Sequence, residues 1–276
     1  MIYVILVGLG LCFGSFVNAL VWRLHEQSLP KKKRAASDKE LSISTGRSMC
    51  PHCQHTLGFW DLLPLVSWLW LRGRCRYCHK AIGWQYPLVE AATALVFVAT
   101  YTFWPLTLDG RGIFLLVVWL AALTGLMALI VYDVRWMLLP NKIVFPLIVL
   151  GLLQTLVVAL AYQGGLHSLV NALYAVAIGG GVYYVLFQLS KGAWIGGGDV
   201  KLGYALGLFL ATPSKAFLLL FVASLLGIIL AVPGLVSKKL SVSSRIPFGP
   251  SLIIASAIVM LFGQAVIDWY LRFVGV

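Results

Sequence analysis

Long apolar stretches recur along almost the whole chain, and this feature limits its possible folds more than any other. Each stretch approaches the roughly 20 residues that a helix needs to cross the hydrocarbon core of a bilayer. The composition agrees, because 61% of the residues are hydrophobic and only 11% are charged. Soluble domains average about 45–50% apolar and about 25% charged residues. The sequence therefore predicts an all-α, polytopic membrane protein.

The apolar stretches predict about eight transmembrane helices. They are expected near residues 2–22, 87–104, 113–132, 143–162, 168–190, 198–211, 216–236 and 250–270. No basic region precedes the first stretch, so it is interpreted as a retained helix rather than a secretory signal. The predicted domains are a first transmembrane helix over 1–22, a small cytoplasmic domain over 23–86 and a seven-helix membrane domain over 87–276.

The positions of the basic residues predict the orientation of these helices. With the N-terminus outside, 18 of the 21 Lys and Arg residues fall on the cytoplasmic side, and the exceptions are Arg111, Lys215 and Arg272. Cytoplasmic loops are enriched in basic residues, so both termini are predicted to be outside and the 23–86 loop cytoplasmic. The net charge of +12 then reflects orientation in a lipid bilayer, and no nucleic-acid partner is predicted.

Four cysteines of the cytoplasmic loop form two C-x-x-C pairs, Cys50 with Cys53 and Cys75 with Cys78. A two-residue spacer lets two thiolates converge on one ion, and two such pairs complete a tetrahedral zinc site. Because four protein ligands leave no open position, the predicted zinc is structural rather than catalytic. Disulfides or free thiols are the alternative, but the reducing cytoplasm disfavours structural disulfides.

Other residues near the loop have simpler interpretations. His52, His55 and His79 lie beside the thiols and are alternative ligands, although solvated surface histidines are the expected case. Cys12 falls in the first apolar segment and is interpreted as a small buried hydrophobic residue. Residues 28–48 are rich in charged and small polar side chains and are predicted to form a flexible arm.

Two of the nine acidic residues, Asp133 and Asp199, lie at the predicted cytoplasmic ends of apolar segments. Ionisable groups at membrane depth are costly to bury, so they are functional candidates. Paired carboxylates suit metal-free amide hydrolysis, since one ionised Asp takes a proton from water while its protonated partner polarises the carbonyl. Helix capping, ion pairs with Arg135 and Lys201, and proton sites of a transporter are the alternatives.

Short motifs follow one another in order from residue 14 to residue 250. Besides the two C-x-x-C pairs, they are Gly14-Ser15-Phe16-Val17-Asn18, Leu71-Arg72-Gly73-Arg74-Cys75-Arg76, Tyr86-Pro87-Leu88-Val89-Glu90, Asp133 with Leu139-Pro140, Gly196-Gly197-Gly198-Asp199-Val200-Lys201-Leu202 and Pro247-Phe248-Gly249-Pro250. This ordered set resembles the type IV prepilin peptidases, membrane aspartyl proteases of the G-x-G-D class. A G-x-G-D motif alone would be a weak signal, whereas the ordered set is specific.

The resemblance implies a bacterial inner-membrane enzyme that removes the basic leader from type IV prepilins and pseudopilins at the cytoplasmic face. Asp133 and Asp199 take the two catalytic positions, with Gly196, Gly198 and Lys201 as supporting residues of the same motif. Family members with the cysteine-bearing loop look bifunctional, which implies methylation of the new N-terminal amine by S-adenosylmethionine. The competing hypothesis is a non-catalytic, zinc-anchored membrane assembly protein for a pilus or secretion system.

Two further motif residues, Asn18 and Glu90, are expected near the depth of the aspartates. Hydrogen bonding between helices is the simpler role for both, and contact with substrate is the alternative. The chain departs from the family at Asn141, where Asp is common, and at Asp61-Leu62, where Asp-Asn is frequent. The sequence contains no nucleotide fingerprint that would identify residues for S-adenosylmethionine.

Overall fold

The computed structural model describes residues 1–161, 165–237 and 246–275, and α-helices dominate all three ranges. No β-strand occurs within them, although two isolated bridges lie in the cysteine loop. The α-helices are α1 (Ile2–Ser28), α2 (Val66–Trp70), α3 (Gln85–Thr102), α4 (Gly110–Trp136), α5 (Asn141–Ala161), α6 (Gly165–Val176), α7 (Val182–Leu189), α8 (Gly197–Leu210), α9 (Pro213–Val236) and α10 (Gly249–Val274). A π-helical segment, Ala177–Gly181, joins α6 to α7. The all-α prediction is confirmed.

Each predicted apolar segment coincides with a helix, and the 168–190 segment coincides with the continuous run from α6 to α7. Within the described ranges, six helical runs are long and apolar enough to cross a membrane, namely Ile2–Ser28, Gly110–Trp136, Asn141–Leu160, Gly165–Leu189, Pro213–Gly234 and Gly249–Val274. The two remaining segments are α3, with 18 residues, and α8, with 14. The chain is thus a multi-pass helical membrane protein, while the predicted number of eight spans is not confirmed.

The chain divides into two compact units, Met1–Thr102 and Phe103–Val276. The first contains α1, the cysteine loop, α2 and α3, and the second contains α4 to α10. This division describes packing, so the functional domains expected at 1–22, 23–86 and 87–276 stay a prediction.

In the first unit, α1 packs along α3 through glycines that allow a very close approach. A Cβ added at Gly10 would lie 2.4 Å from the Cα of Ala94, and one added at Gly14 would lie 2.5 Å from the Cα of Glu90. Real Cβ atoms essentially never come within 3.0 Å of such neighbours. Small residues at a helix contact are typical of packing inside membranes, where backbones gain contact by approaching closely.

The segment after α1 is tied to that helix, in contrast to the predicted flexible arm. The buried guanidinium of Arg23 donates hydrogen bonds to the carbonyls of Ser42, Ile43 and Gly46 at 3.0 to 3.3 Å. Leu41 beside them is fully buried. A buried cation requires such acceptors, so Arg23 organises a segment whose composition alone suggested disorder.

In the second unit, the short helix α8 packs against α5, α6, α7, α9 and α10. Its glycines face the π-helical segment and the end of α6. A Cβ added at Gly203 would lie 2.4 Å from the carbonyl oxygen of Gly179, and one added at Gly207 would lie 2.8 Å from that of Ala175. Helix α8 therefore reaches this central position because it carries glycine where its neighbours are closest.

The C-terminal end of α8 is held by polar side chains of α5. Gln154 donates to the carbonyl of Phe209 at 3.0 Å, and Thr155 donates to the carbonyl of Leu208 at 2.9 Å. The last carbonyls of a helix have no intrahelical donor, so these bonds satisfy groups that would otherwise be buried unpaired. These bonds fix the C-terminal end of α8, and the opposite end of the helix carries Asp199.

Candidate active site and metal centre

Asp133 lies in the last turn of α4, where its side chain is only 5% exposed. Its Oδ2 accepts a hydrogen bond of 3.0 Å from the backbone N–H of Gly249, the first residue of α10. An N–H in the first turn of a helix has no intrahelical acceptor. The carboxylate at the end of α4 therefore caps the start of α10, and this contact fixes one of its two oxygens.

Asp199 is the third residue of α8 and is half-buried. Its Oδ2 accepts a hydrogen bond of 3.3 Å from the N–H of Gly196, so it also caps the helix that carries it. This capping was one of the structural alternatives for Asp199. The two carboxylates lie close enough to interact electrostatically. Both predicted catalytic aspartates thus lie at helix ends of the second unit, within electrostatic reach of one another.

Leu139, in the turn after α4, contacts both helix starts that form this site. A Cβ added at Gly198 would lie 2.9 Å from the Cβ of Leu139. A Cβ added at Gly249 would lie 3.5 Å from the Leu139 Cδ2 and 2.6 Å from the Asp133 Oδ2. Glycine at 198 and 249 therefore lets α8 and α10 approach the residues around Asp133.

Arg135 and Lys201, the ion-pair partners considered for the aspartates, make other contacts. Lys201 Nζ donates to Asn141 Oδ1 at 3.0 Å and links the starts of α8 and α5. The Arg135 guanidinium lies 5.5 Å from the centre of the Trp136 ring. Lys201 therefore ties two helices together, and its supporting role in the active site stays a prediction.

Asn18 and Glu90 make their hydrogen bonds within the first unit. Asn18 donates to the carbonyl of Tyr86 at 3.1 Å and accepts from Gln85 Nε2 at 3.2 Å, which joins α1 to the start of α3. Glu90 Oε2 accepts a bond of 2.8 Å from the N–H of Leu65. Leu65 has a φ of 58°, so Glu90 supports a strained turn before α2. The depth expected for both residues relative to the aspartates stays a prediction.

The four loop cysteines converge on one point in the first unit. Their Sγ atoms all lie within 4.8 Å of one another, and those of Cys50 and Cys78 are 3.9 Å apart. Thiolates bound at about 2.3 Å around a tetrahedral zinc ion lie about 3.8 Å from one another. The cluster can therefore hold one metal ion. Cys12 is outside it and is exposed on α1, which differs from the burial predicted for it.

Both C-x-x-C pairs fold in the same way. Each turns through a residue with positive φ four positions after its first cysteine, Gln54 at 58° and His79 at 56°. In each pair, two backbone N–H groups donate hydrogen bonds to the first thiol, that of Cys50 or Cys75. Such donors stabilise a thiolate, the form that binds metal. The backbone is therefore arranged for metal binding at both pairs.

The two buried thiols at the centre of the cluster differ in acidity. Burial raises the pKa of the Cys50 thiol to about 12. Burial also acts to raise the pKa of Cys75, but hydrogen bonds from the backbone N–H groups of Cys78 and Tyr77 and from two neighbouring thiols lower it to about 7. Of these two thiols, Cys75 therefore supplies a metal-binding thiolate more readily than Cys50, and a bound cation would promote loss of the Cys50 proton.

Leu139 and Gly249 are site residues to which the sequence assigned no role, although both fall in the ordered motifs. The available signal was the dipeptide Gly249-Pro250 at the start of an apolar segment. Proline in the first turn is typical of a helix N-terminus, and helix N-termini attract carboxylates. The dipeptide could thus have indicated a partner for one aspartate, but it does not identify which.

Comparisons with known families agree with this architecture. Residues 8–104 match the Bacterial Peptidase A24 N-terminal domain, and residues 120–232 match the Type IV leader peptidase family. The helical membrane fold and these matches define a multi-pass membrane enzyme of the peptidase class. No solved structure matches the chain.

Three relatives cover nearly the whole chain. The prepilin leader peptidase/N-methyltransferase of Aeromonas hydrophila is 35% identical over 95% of this chain and 91% of its own length. The enzyme of the same name from Pseudomonas aeruginosa is 36% identical over 97% and 92%. The type 4 prepilin-like proteins leader peptide-processing enzyme of Escherichia coli is 35% identical over 88% and 87%. The chain belongs to the type IV leader peptidase family.

Proposed function

We propose that this enzyme processes type IV prepilins and pseudopilins as an intramembrane aspartyl endopeptidase. It removes the basic leader at the cytoplasmic face of the bacterial inner membrane and then methylates the new N-terminal residue. The observation that carries the peptidase activity is that Leu139 contacts the start of α8, which carries Asp199, and the start of α10, which caps Asp133, with the two carboxylates within electrostatic reach. The names of the three relatives support prepilins as the substrate class.

The chemistry follows from two adjacent carboxylates that share one proton, because like charges at short range do not readily coexist. The ionised carboxylate takes a proton from water, and the protonated one donates a hydrogen bond to the scissile carbonyl. The water oxygen bonds to the carbonyl carbon, the C–N bond then breaks, and the leaving amine receives a proton from the dyad. Gly249 holds one Asp133 oxygen, so the other oxygen is available for this exchange.

Access for the substrate is supported by the glycines before Asp199. Gly196 is exposed, and neither it nor its two glycine neighbours carries a side chain that would cover the start of α8. An extended peptide backbone can approach such a surface closely. We assign the scissile peptide of the precursor to the space next to Gly196 and Asp199.

The loop cysteines are proposed to hold a structural zinc ion, supported by the fit of their spacing to a tetrahedral site. S-adenosylmethionine supplies the methyl group, and the N-methyltransferase names of the relatives support this second activity. No residue is assigned to the methyl donor. The excess of basic residues in the predicted cytoplasmic stretches supports a cytoplasmic loop with both termini outside.

Purified full-length protein incubated with a prepilin precursor and S-adenosylmethionine tests the proposal. Mass spectrometry should detect loss of the leader and addition of one methyl group to the new N-terminus. Precursor that stays uncleaved in the presence of folded enzyme would favour the zinc-anchored assembly protein. A cleaved but unmethylated product would support the peptidase activity and contradict the proposed methyltransferase activity.

A further inference from the structure

Tyr183 of α7 is a buried polar residue of the second unit without a role in the scheme above. Its side chain is 4% exposed, yet among the described residues its hydroxyl has no hydrogen-bond partner. Leaving a buried hydroxyl unpaired is costly, and nearly all such groups in folded proteins have a partner. The hydroxyl is therefore expected to find its partner when the site is occupied.

The ring of Tyr183 packs on the face of α8 that carries Asp199. A Cβ added at Gly203 would lie 3.0 Å from the Tyr183 Cδ2. Gly203 is four residues after Asp199, so the two lie on the same face of the helix, one turn apart. Glycine at 203 leaves the space that the Tyr183 ring uses. Tyr183 also lies near enough to Asp199 to sense its charge.

The same ring also contacts the element that holds Asp133. Tyr183 and Phe248 form an edge-to-face pair with ring centres 5.7 Å apart. Phe248 immediately precedes Gly249, whose N–H caps Asp133. Tyr183 therefore contacts both elements that position the dyad. Asp199 is the acidic group that acts electrostatically on Tyr183, and Asp133 in turn acts on Asp199.

We propose that Tyr183 is a positioning residue of the peptidase, and that its hydroxyl donates a hydrogen bond to Asp199, directly or through one water molecule, when substrate is bound. This inference rests on the proposed function, because Asp199 needs such positioning only if it transfers protons. The bond holds the carboxylate in one orientation and stabilises its ionised form. No covalent bond to Tyr183 forms or breaks.

Tyr183→Phe tests the inference because it removes only the oxygen. Loss of one hydrogen bond to a charged group should lower kcat for leader cleavage by about tenfold to a hundredfold, with KM nearly unchanged. Without the donor, Asp199 should ionise at higher pH, so the acidic limb of the rate profile should move to higher pH. Tyr184→Phe is the matched control, since the neighbouring hydroxyl is exposed and pairs with Gln188.

A second variant keeps the test independent of folding. Replacing Tyr183 with 3-fluorotyrosine preserves its shape and makes its hydroxyl a stronger donor, so the acidic limb should move to lower pH, opposite to the Phe variant. A structural role predicts unchanged pH profiles in both variants, and that result would overturn the inference. Asp199→Asn is measured alongside. If Asp199→Asn cleaves precursor normally, the proposed catalytic dyad is wrong. If Asp199→Asn is inactive and Tyr183→Phe cleaves normally, only the role of Tyr183 is rejected.

Discussion

The backbone N–H of Gly249 donates a hydrogen bond to the carboxylate of Asp133, 116 residues earlier in the chain. This contact places the first turn of α10 against the last turn of α4. It also gives a physical role to the Pro247-to-Pro250 motif, which contains no ionisable side chain. The candidate active site therefore includes a helix start that supplies only backbone.

Gly249→Ala should slow leader cleavage by about a hundredfold while the protein stays folded. The new Cβ would lie 2.6 Å from the Asp133 Oδ2, so the carboxylate or the helix start has to move. A displacement of about 1 Å in a catalytic group can cost on the order of a hundredfold in rate. Cleavage is measured with purified protein, and Gly181→Ala is the control because nothing lies within 4 Å of its added Cβ. Equal rates for both variants would contradict the assigned contact.

Zinc binding and methyl transfer should be lost together in a variant that still cleaves precursor. Purified protein should contain about one zinc ion per chain, as a single four-thiolate site requires. Cys75→Ser should lose most of the metal, cleave precursor at a reduced rate and leave the product unmethylated, whereas Cys12→Ser, outside the cluster, should behave as wild type. Metal analysis and mass spectrometry of the product report these changes. A zinc-free variant that cleaves and methylates normally would show that neither activity needs the metal.

Arg23→Met should release the segment that follows α1. The substitution removes three hydrogen bonds to the carbonyls of Ser42, Ile43 and Gly46. Amide hydrogen exchange across residues 41–48 should become faster, because local opening no longer breaks those bonds. Arg47→Met is the control, since that side chain is exposed. Unchanged exchange in Arg23→Met would mean that other contacts hold the segment.

The predicted topology can be tested by labelling single introduced cysteines from outside intact cells. Thr107→Cys should react with a membrane-impermeant thiol reagent, and Ser44→Cys in the cysteine loop should not. Both positions are exposed, and Thr107 is preferable to Asp109, whose side chain caps α4. Gly164, predicted to be outside, and Ser243, predicted to be cytoplasmic, suit the same test but lie outside the described residues. Labelling of Ser44→Cys without labelling of Thr107→Cys would show that the orientation is the opposite of the predicted one.

Local features of the sequence were sufficient to predict the helices and the candidate ionisable residues. Apolar length determines whether a segment is helical in a membrane, and an acid at such depth is conspicuous because burying it is costly. The spacing of the cysteines likewise predicts their convergence. Each of these inferences uses residues that are near neighbours in the chain.

The remaining features depend on packing between distant segments. Nothing near Arg23 indicates that it would order residues 41–48, and composition predicted the opposite. Leu139 belongs to the site only because α8 and α10 both begin beside it. Tyr183 belongs to none of the motifs, and its position near Asp199 requires a glycine at 203 on another helix. Such contacts cannot be inferred without the fold.

The central claim, that Asp133 and Asp199 act as one proton-transfer unit, is tested most directly by cleavage kinetics of Asp133→Asn, Asp199→Asn and the double variant. An amide oxygen can still accept the bonds from Gly249 and Gly196, so the fold should survive while proton transfer is lost. Each single variant should lose at least about a hundredfold in kcat, and the double variant should lose little more than either one. Asp268→Asn, at an exposed acid of α10, should cleave as wild type. Cleavage at the wild-type rate by either single dyad variant would contradict the claim.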